Sequence, residues 1–190
     1  MKKILIIQGH PNKKSFVNAL AEQYKKGAKE AGNEVDFVHL TDLTFDPVLW
    51  GGYKGKQVLE PDLLKMQEKI KWADHLVFTY PNWWGTMPAL TKGFIDRTFL
   101  PGFAFKHTTD KFPVKLLKGR TASVLVTMDS PNFWYTLFMG APGHKAIKRT
   151  ILQFCGLKPV KISTFYSLRE ASDEKKKKYL NKAASLGQKA

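Results

Sequence analysis

Residues 3–20 read KILIIQGHPNKKSFVNAL, and the change of pattern within them decides the architecture. Ile4 to Gln8 is a short apolar run rich in β-branched residues, stopped by Gly9, His10 and Pro11. It reads as a strand buried on both faces. Val17, Leu20, Ala21, Tyr24 and Ala28 then recur at helical spacing along one face, closed by Gly32, with Ser15 placed to cap the start. A doubly buried strand followed at once by an amphipathic helix opens a βαβ unit.

The same alternation continues outward. Leu76 to Tyr80 and Ala122 to Thr127 are further continuous apolar strands, and the more mixed Val35 to Leu40 and Val160 to Tyr166 suit positions nearer a sheet edge. Between them, Leu63, Met66 and Ile70 predict one helix, and Pro88 opens another running to about Phe99. Ile147, Thr150, Ile151 and Phe154 mark a third, stopped by Gly156. Tyr179, Leu180, Ala183 and Ala184 mark the last, behind a Ser172 cap. Five strand–helix units call for an α/β, flavodoxin-like fold: a five-stranded parallel sheet in the order 2-1-3-4-5 with helices on both faces. Residues 1–190 are expected to form a single domain. The ligand crevice of that topology lies outside strands 1 and 3, between loops Gly9 to Phe16 and Pro81 to Met87. Two connections, Thr41 to Pro61 and Pro101 to Gly119, are long enough to suggest function or partner contact.

Composition removes other classes. Hydrophobic residues make up 43% and charged residues 25% of 190, which argues against disorder or a fibrous chain. No apolar run is long enough for a membrane-spanning helix, the N-terminal one is too short for a secretory signal, and Cys155 has no partner cysteine; a cytoplasmic setting is expected. The net charge of +15 draws anions of any kind, and the run Lys175 to Lys178 reads as a solvated helix face. Its basic residues are spread along the chain and do not alternate with aromatics, so no nucleic-acid partner is expected. No P-loop and no GxGxxG follows the first strand, and the five histidines form no metal-binding spacing, so no metal is expected. Cys155 falls within a helix pattern and reads as a small buried side chain.

What remains gathers at the crevice. Gly9 to Phe16 delivers a helix N-terminus, a natural phosphate site, with His10, Lys13, Lys14 and Ser15 beside it. In Tyr80-Pro81-Asn82-Trp83-Trp84-Gly85-Thr86-Met87-Pro88, two adjacent tryptophans cannot both turn into one core, so a flat aromatic ligand is expected beside them. A third loop, Thr127 to Gly140, adds Phe133, Trp134, Tyr135 and Phe138. A phosphate cradle next to an aromatic slot suits a flavin nucleotide.

These residues resemble a known family. Gly9-His10-Pro11 with Ser15, Phe16, Asn18, Ala19 and Leu20 is similar to the opening motif of the flavodoxin-like NAD(P)H:quinone oxidoreductases, the DT-diaphorase-like group, although Val17 intervenes between Phe16 and Asn18. Tyr80 to Gly85, then Pro88, Ala89, Leu90, Lys92, Gly93, Phe94, Asp96, Arg97 and Gly102 to Phe105, resembles the same family's second signature. The resemblance implies a homodimeric flavoprotein that takes a hydride from NAD(P)H onto the flavin and passes it to a quinone-like small molecule. It implies FAD, with FMN as the alternative, held by His10, Ser15, Phe16, Asn18, Pro81, Asn82, Trp83, Trp84, Gly85, Thr127, Met128 and Asp129, with Tyr135 as the catalytic tyrosine over the ring. Asp46 to Tyr53 would cover the slot of a dimer partner. An alternative from the same family is a flavin-binding regulatory subunit of a membrane transporter such as a potassium-efflux system, docked peripherally. Two departures stand out: Met128-Asp129-Ser130-Pro131 replaces a small-residue turn, and Ala141 stands where relatives carry a histidine.

Overall fold

A computed structural model describes residues 1–55, 57–109 and 112–190. Lys56, Asp110 and Lys111, inside the two long connections, lie outside the described residues. The central sheet has the parallel order β2-β1-β3-β6-β7, formed by Glu34–His39, Lys3–Gln8, His75–Pro81, Thr121–Thr127 and Val160–Phe165. All five strands expected from sequence are there, in the expected order. The doubly buried reading of β1 holds because alternate residues serve two cores. Ile4 and Ile6 pack with Leu20, Ala21 and Tyr24 of α1 (Phe16–Glu30) and Ala183 of α6 (Asp173–Gln188). Leu5 and Ile7 pack with Leu63, Met66 and Ile70 of α2 (Pro61–Trp72) and Phe94 of α3 (Ala89–Thr98). No helix is long and apolar enough to cross a membrane, a statement that covers the described residues.

Two features escape the sequence patterns. Phe105–Lys106 and Val114–Lys115, β4 and β5, pair antiparallel; two residues per strand are too few to produce an alternation. The stretch after β6 winds more widely than an α-helix. Trp134–Phe138 is a π-helical turn, and α4 (Pro142–Lys145) passes through a second, Ala146–Leu152, into α5 (Gln153–Cys155). Gly156, at φ +111°, ends it where expected.

The connection from 41 to 61 is tied to α3. Arg97, fully buried, donates to the Asp46 carbonyl (2.6 Å), the Val58 carbonyl (3.1 Å) and both Glu60 carboxylate oxygens (3.1 and 2.8 Å). One turn earlier, a Cβ on Gly93 would come within 2.4 Å of the Pro47 Cβ, so only glycine admits the crossing chain there. The Gly93 and Arg97 positions of the second motif thus act as a clamp. The Asp46–Tyr53 segment lies on its own α3, leaving Trp50 and Tyr53 exposed.

Candidate active site at the C-terminal edge of the sheet

At the end of β1, three short hydrogen bonds shape the entry to α1. The Asn12 amide donates to His10 Nδ1 (2.9 Å), the Lys14 amide to Asn12 Oδ1 (2.8 Å) and the Ser15 amide to the Asn12 carbonyl (3.2 Å). Ser15 Oγ then accepts from the Asn18 amide (3.3 Å), the expected N-cap. The amides of Phe16 and Val17 fall in the first turn, where no helical carbonyl can reach them, and no acidic side chain occupies that turn. It is an anion site by construction. Burial pushes the His10 imidazole below its ordinary pKa. A neutral ring that accepts at Nδ1 carries its proton on Nε2, so His10 presents one further donor. Lys13 is engaged with Asp42.

Beyond β3, the Asn82 amide is held by the Thr127 carbonyl (2.7 Å), and Trp83 and Thr86 exchange both backbone hydrogen bonds (2.8 and 3.1 Å). The residues between them, Trp84 at φ 51° and Gly85 at φ 80°, make a turn with two left-handed positions, the type I′ pattern. Glycine adopts this freely. Tryptophan does so at a cost of about 1–2 kcal/mol. Trp83 is 43% exposed, with its ring edge-on to His10 at 5.5 Å, while Trp84 stands wholly in solvent.

Between these turns and the loop after β6 lies a cavity of about 170 Å³. It brings together His10, Ser15, Phe16, Pro81, Asn82, Trp83, Thr127, Met128 and Asp129 of the expected binding residues. Asn18, Trp84, Gly85 and Tyr135 do not line it. Asp129 is fixed by accepting from the Arg169 amide (2.9 Å), and this contact brings the loop after β7 into the site with Leu168 on the cavity wall. Leu168 and Val17 were not expected: the first follows a strand that carried no motif, and the second reads as core.

Tyr135 departs most from the role the resemblance implies. It is fully buried, donates to the Gly85 carbonyl (3.1 Å) and accepts from the Gly143 amide (3.0 Å). A hydroxyl so engaged has little capacity left for a ligand, and burial raises its pKa. The knot is tight: a Cβ on Gly143 would sit 2.5 Å from the Gly85 carbonyl oxygen and 2.8 Å from the Tyr135 oxygen. His144 stacks edge-on against the Tyr135 ring at 4.9 Å and meets Thr164 Oγ1 at 3.1 Å. Tyr135 therefore fastens the Trp83–Thr86 turn to the helix after Ala141.

The donor set suits a phosphorylated redox ring in part. Gln8 and Thr79, register partners near the C-terminal ends of β1 and β3, are both fully buried with side-chain polar atoms that meet no protein partner, and Asn18 Oδ1 is likewise unmatched. Such groups require water or ligand. The cavity has room for a phosphate group, but is well below the roughly 300–1,000 Å³ of a full small-molecule pocket. A tricyclic ring would have to lie against exposed surfaces outside it. No group of three metal-ligating side chains occurs among the described residues.

The chain belongs to the flavodoxin-like fold family, whose model matches residues 2–188. It is 29% identical over 191 residues to a Haemophilus influenzae protein described as an uncharacterized NAD(P)H oxidoreductase, covering 97% of this chain and 93% of that one. It is 27% identical over 202 residues to mouse ribosyldihydronicotinamide dehydrogenase [quinone], covering 93% and 86%. Among solved structures, Smu.1420 from Streptococcus mutans superposes with a TM-score of 0.85 at 31% identity, covering 99% and 100%. The NAD(P)H:quinone oxidoreductase of Methanothermobacter marburgensis shares the fold, with a TM-score of 0.82 at 24% identity and 98% of each chain covered.

Proposed function

We propose that this protein is an NAD(P)H-dependent flavoprotein oxidoreductase whose acceptor is a quinone or similar small aromatic molecule. The observation that carries the reading is the capped first turn of α1, with open Phe16 and Val17 amides facing the aromatic turn after β3. The names of the full-length relatives support it. A bound flavin supplies the two-electron chemistry; the protein binds and orients it. Phe16, Val17, Ser15 and the His10 Nε2–H hold the phosphate end, and the backbone of Asn82 and Trp83 borders the ring. Tyr135 acts by holding Gly85 in place. FAD is the expected form and FMN the alternative. Donor and acceptor share one slot in turn, which gives ping-pong kinetics.

The chain works as a homodimer in the cytoplasm, 1–190 forming one domain. A groove of about 390 Å³ between α3 and the helix through Phe154, floored by Ile95, Phe99 and Phe105, with Trp50 and Tyr53 exposed nearby, is an apolar face suited to a second copy. That copy would complete the half-open slot. No observation favours the transporter-subunit reading.

The test is direct. Purified protein incubated with FAD or FMN should retain flavin through gel filtration, lose its yellow colour on anaerobic addition of NADPH or NADH, and regain it on adding a quinone. Protein that retains neither flavin overturns the reading.

A further inference from the structure

At the opposite edge of the sheet, where the parallel strands begin, a second cavity of about 510 Å³ opens over β6 and β7. It is three times the volume of the slot at the C-terminal edge. Four lysines line it, Lys2, Lys148, Lys161 and Lys189, against one carboxylate, that of the terminal Ala190, and no Asp or Glu. None of the four forms an ion pair among the described residues, although ten such pairs occur elsewhere in the described structure. Unpaired ammonium groups around a concave surface reinforce one another's field.

The floor is polar and built. His75, 5% exposed, places Nδ1 2.6 Å from Thr121 Oγ1, and Nε2 3.1 Å from Ser123 Oγ and 3.2 Å from the Tyr24 hydroxyl. A neutral imidazole has one N–H and one lone pair to share among three hydroxyls. At least one hydroxyl proton is thus left to donate elsewhere. Leu125 and Leu186, on the same face of the sheet as His75 and Tyr24, give the cavity an apolar wall beside this donor set.

We propose that this cavity binds a small phosphate ester, its dianionic end among the four lysines and its compact apolar body against Leu125 and Leu186. The excess of donors over the two oxygens of a carboxylate favours phosphate, which offers three. A volume of about 510 Å³ is that of a small-molecule site. The proposal is independent of the flavin reading, because it lies at the other end of the strands.

His75 also reports on occupancy. Burial, then Lys2 and Lys161, hold its pKa near 4. A bound dianion opposes the two lysines and must raise that pKa.

The experiment follows His75 by NMR while phenyl phosphate, inorganic phosphate and benzoate are titrated into the full chain. Phenyl phosphate should shift the resonances of Thr121, Ser123 and Lys161, raise the His75 pKa by about one unit (a tenfold linkage), and bind more tightly than inorganic phosphate or benzoate. Lys2→Ala/Lys161→Ala should weaken it at least tenfold, whereas Lys106→Ala/Lys177→Ala, two exposed lysines elsewhere, should change it less than twofold. Equal losses in the two double variants would mean diffuse attraction only, and shifts confined to Ser15 and Phe16 would place the phosphate in the other slot. Either result overturns the proposal.

Discussion

At its first residue, β3 carries a buried histidine whose ring nitrogens meet three hydroxyls; at its last, Pro81 leads into a turn with two left-handed residues. Just below that turn, Gln8, Thr79 and Tyr80 have buried polar atoms with no protein partner. One strand thus begins with a buried ring whose nitrogens are saturated and ends among buried groups that are not. Saturation stabilises a neutral buried group, while orphan donors and backbone strain cost stability that a ligand can return. The contrast separates a buried ring that the fold itself satisfies, with hydroxyl donors to spare, from buried groups that it leaves unmatched.

The largest expected effect lies at the saturated end. With a folded pKa near 4 and an unfolded value near 6.5, the unfolded chain binds more protons at His75 between those limits. Its contribution is therefore complete above about pH 6.5 and is lost as pH falls toward 4. The loss is about 3 kcal/mol. His10 and His144, also lowered by burial, act in the same direction. Denaturant melts from pH 7 to pH 4 should show the slope, and His75→Gln should flatten it; an unchanged slope would mean that His75 is not the dry, neutral group described.

Next in size is the knot that supports the unsaturated end. Tyr135→Phe removes one acceptor and one donor from buried backbone groups and should cost about 2 kcal/mol. If the tyrosine only positions Gly85, turnover should fall together with flavin affinity. A loss of turnover with affinity intact would instead put the hydroxyl in contact with the reacting molecules. Trp84→Gly then sharpens the strain argument. Releasing a non-glycine residue from φ 51° should raise stability by about 1 kcal/mol in thermal melts. A stability loss would show that the exposed indole makes a contact that offsets its backbone.

The sheet was legible in the sequence because both faces of β1, β3 and β6 are buried, so runs such as Ile4 to Ile7 are unbroken. Ser15 and Ser172 were legible because capping is local chemistry, and both cap as expected. Nine of the site residues meet at one cavity because the loops after β1, β3 and β6, three neighbouring parallel strands, open on the same edge of the sheet. Tyr135 was not readable in the same way. A motif gives a position along the chain, but the π-helical turn around it decides where the hydroxyl points. The role of Arg97 was hidden for a similar reason: its partners, Asp46, Val58 and Glu60, lie 37 to 51 residues away in sequence. The cavity at His75 left no motif, since its lysines come from four separate stretches of the chain.

The central claim is that the first turn of α1 and the turn after β3 grip a flavin between them. Titrating FAD and FMN into the apoprotein, with flavin fluorescence as the signal, addresses it most directly when paired with His10→Ala/Ser15→Ala. Wild type should bind one flavin per chain, and the double variant should bind it at least tenfold more weakly, about 1.4 kcal/mol or more. Equal affinity in the two proteins, or no binding in either, would contradict the account.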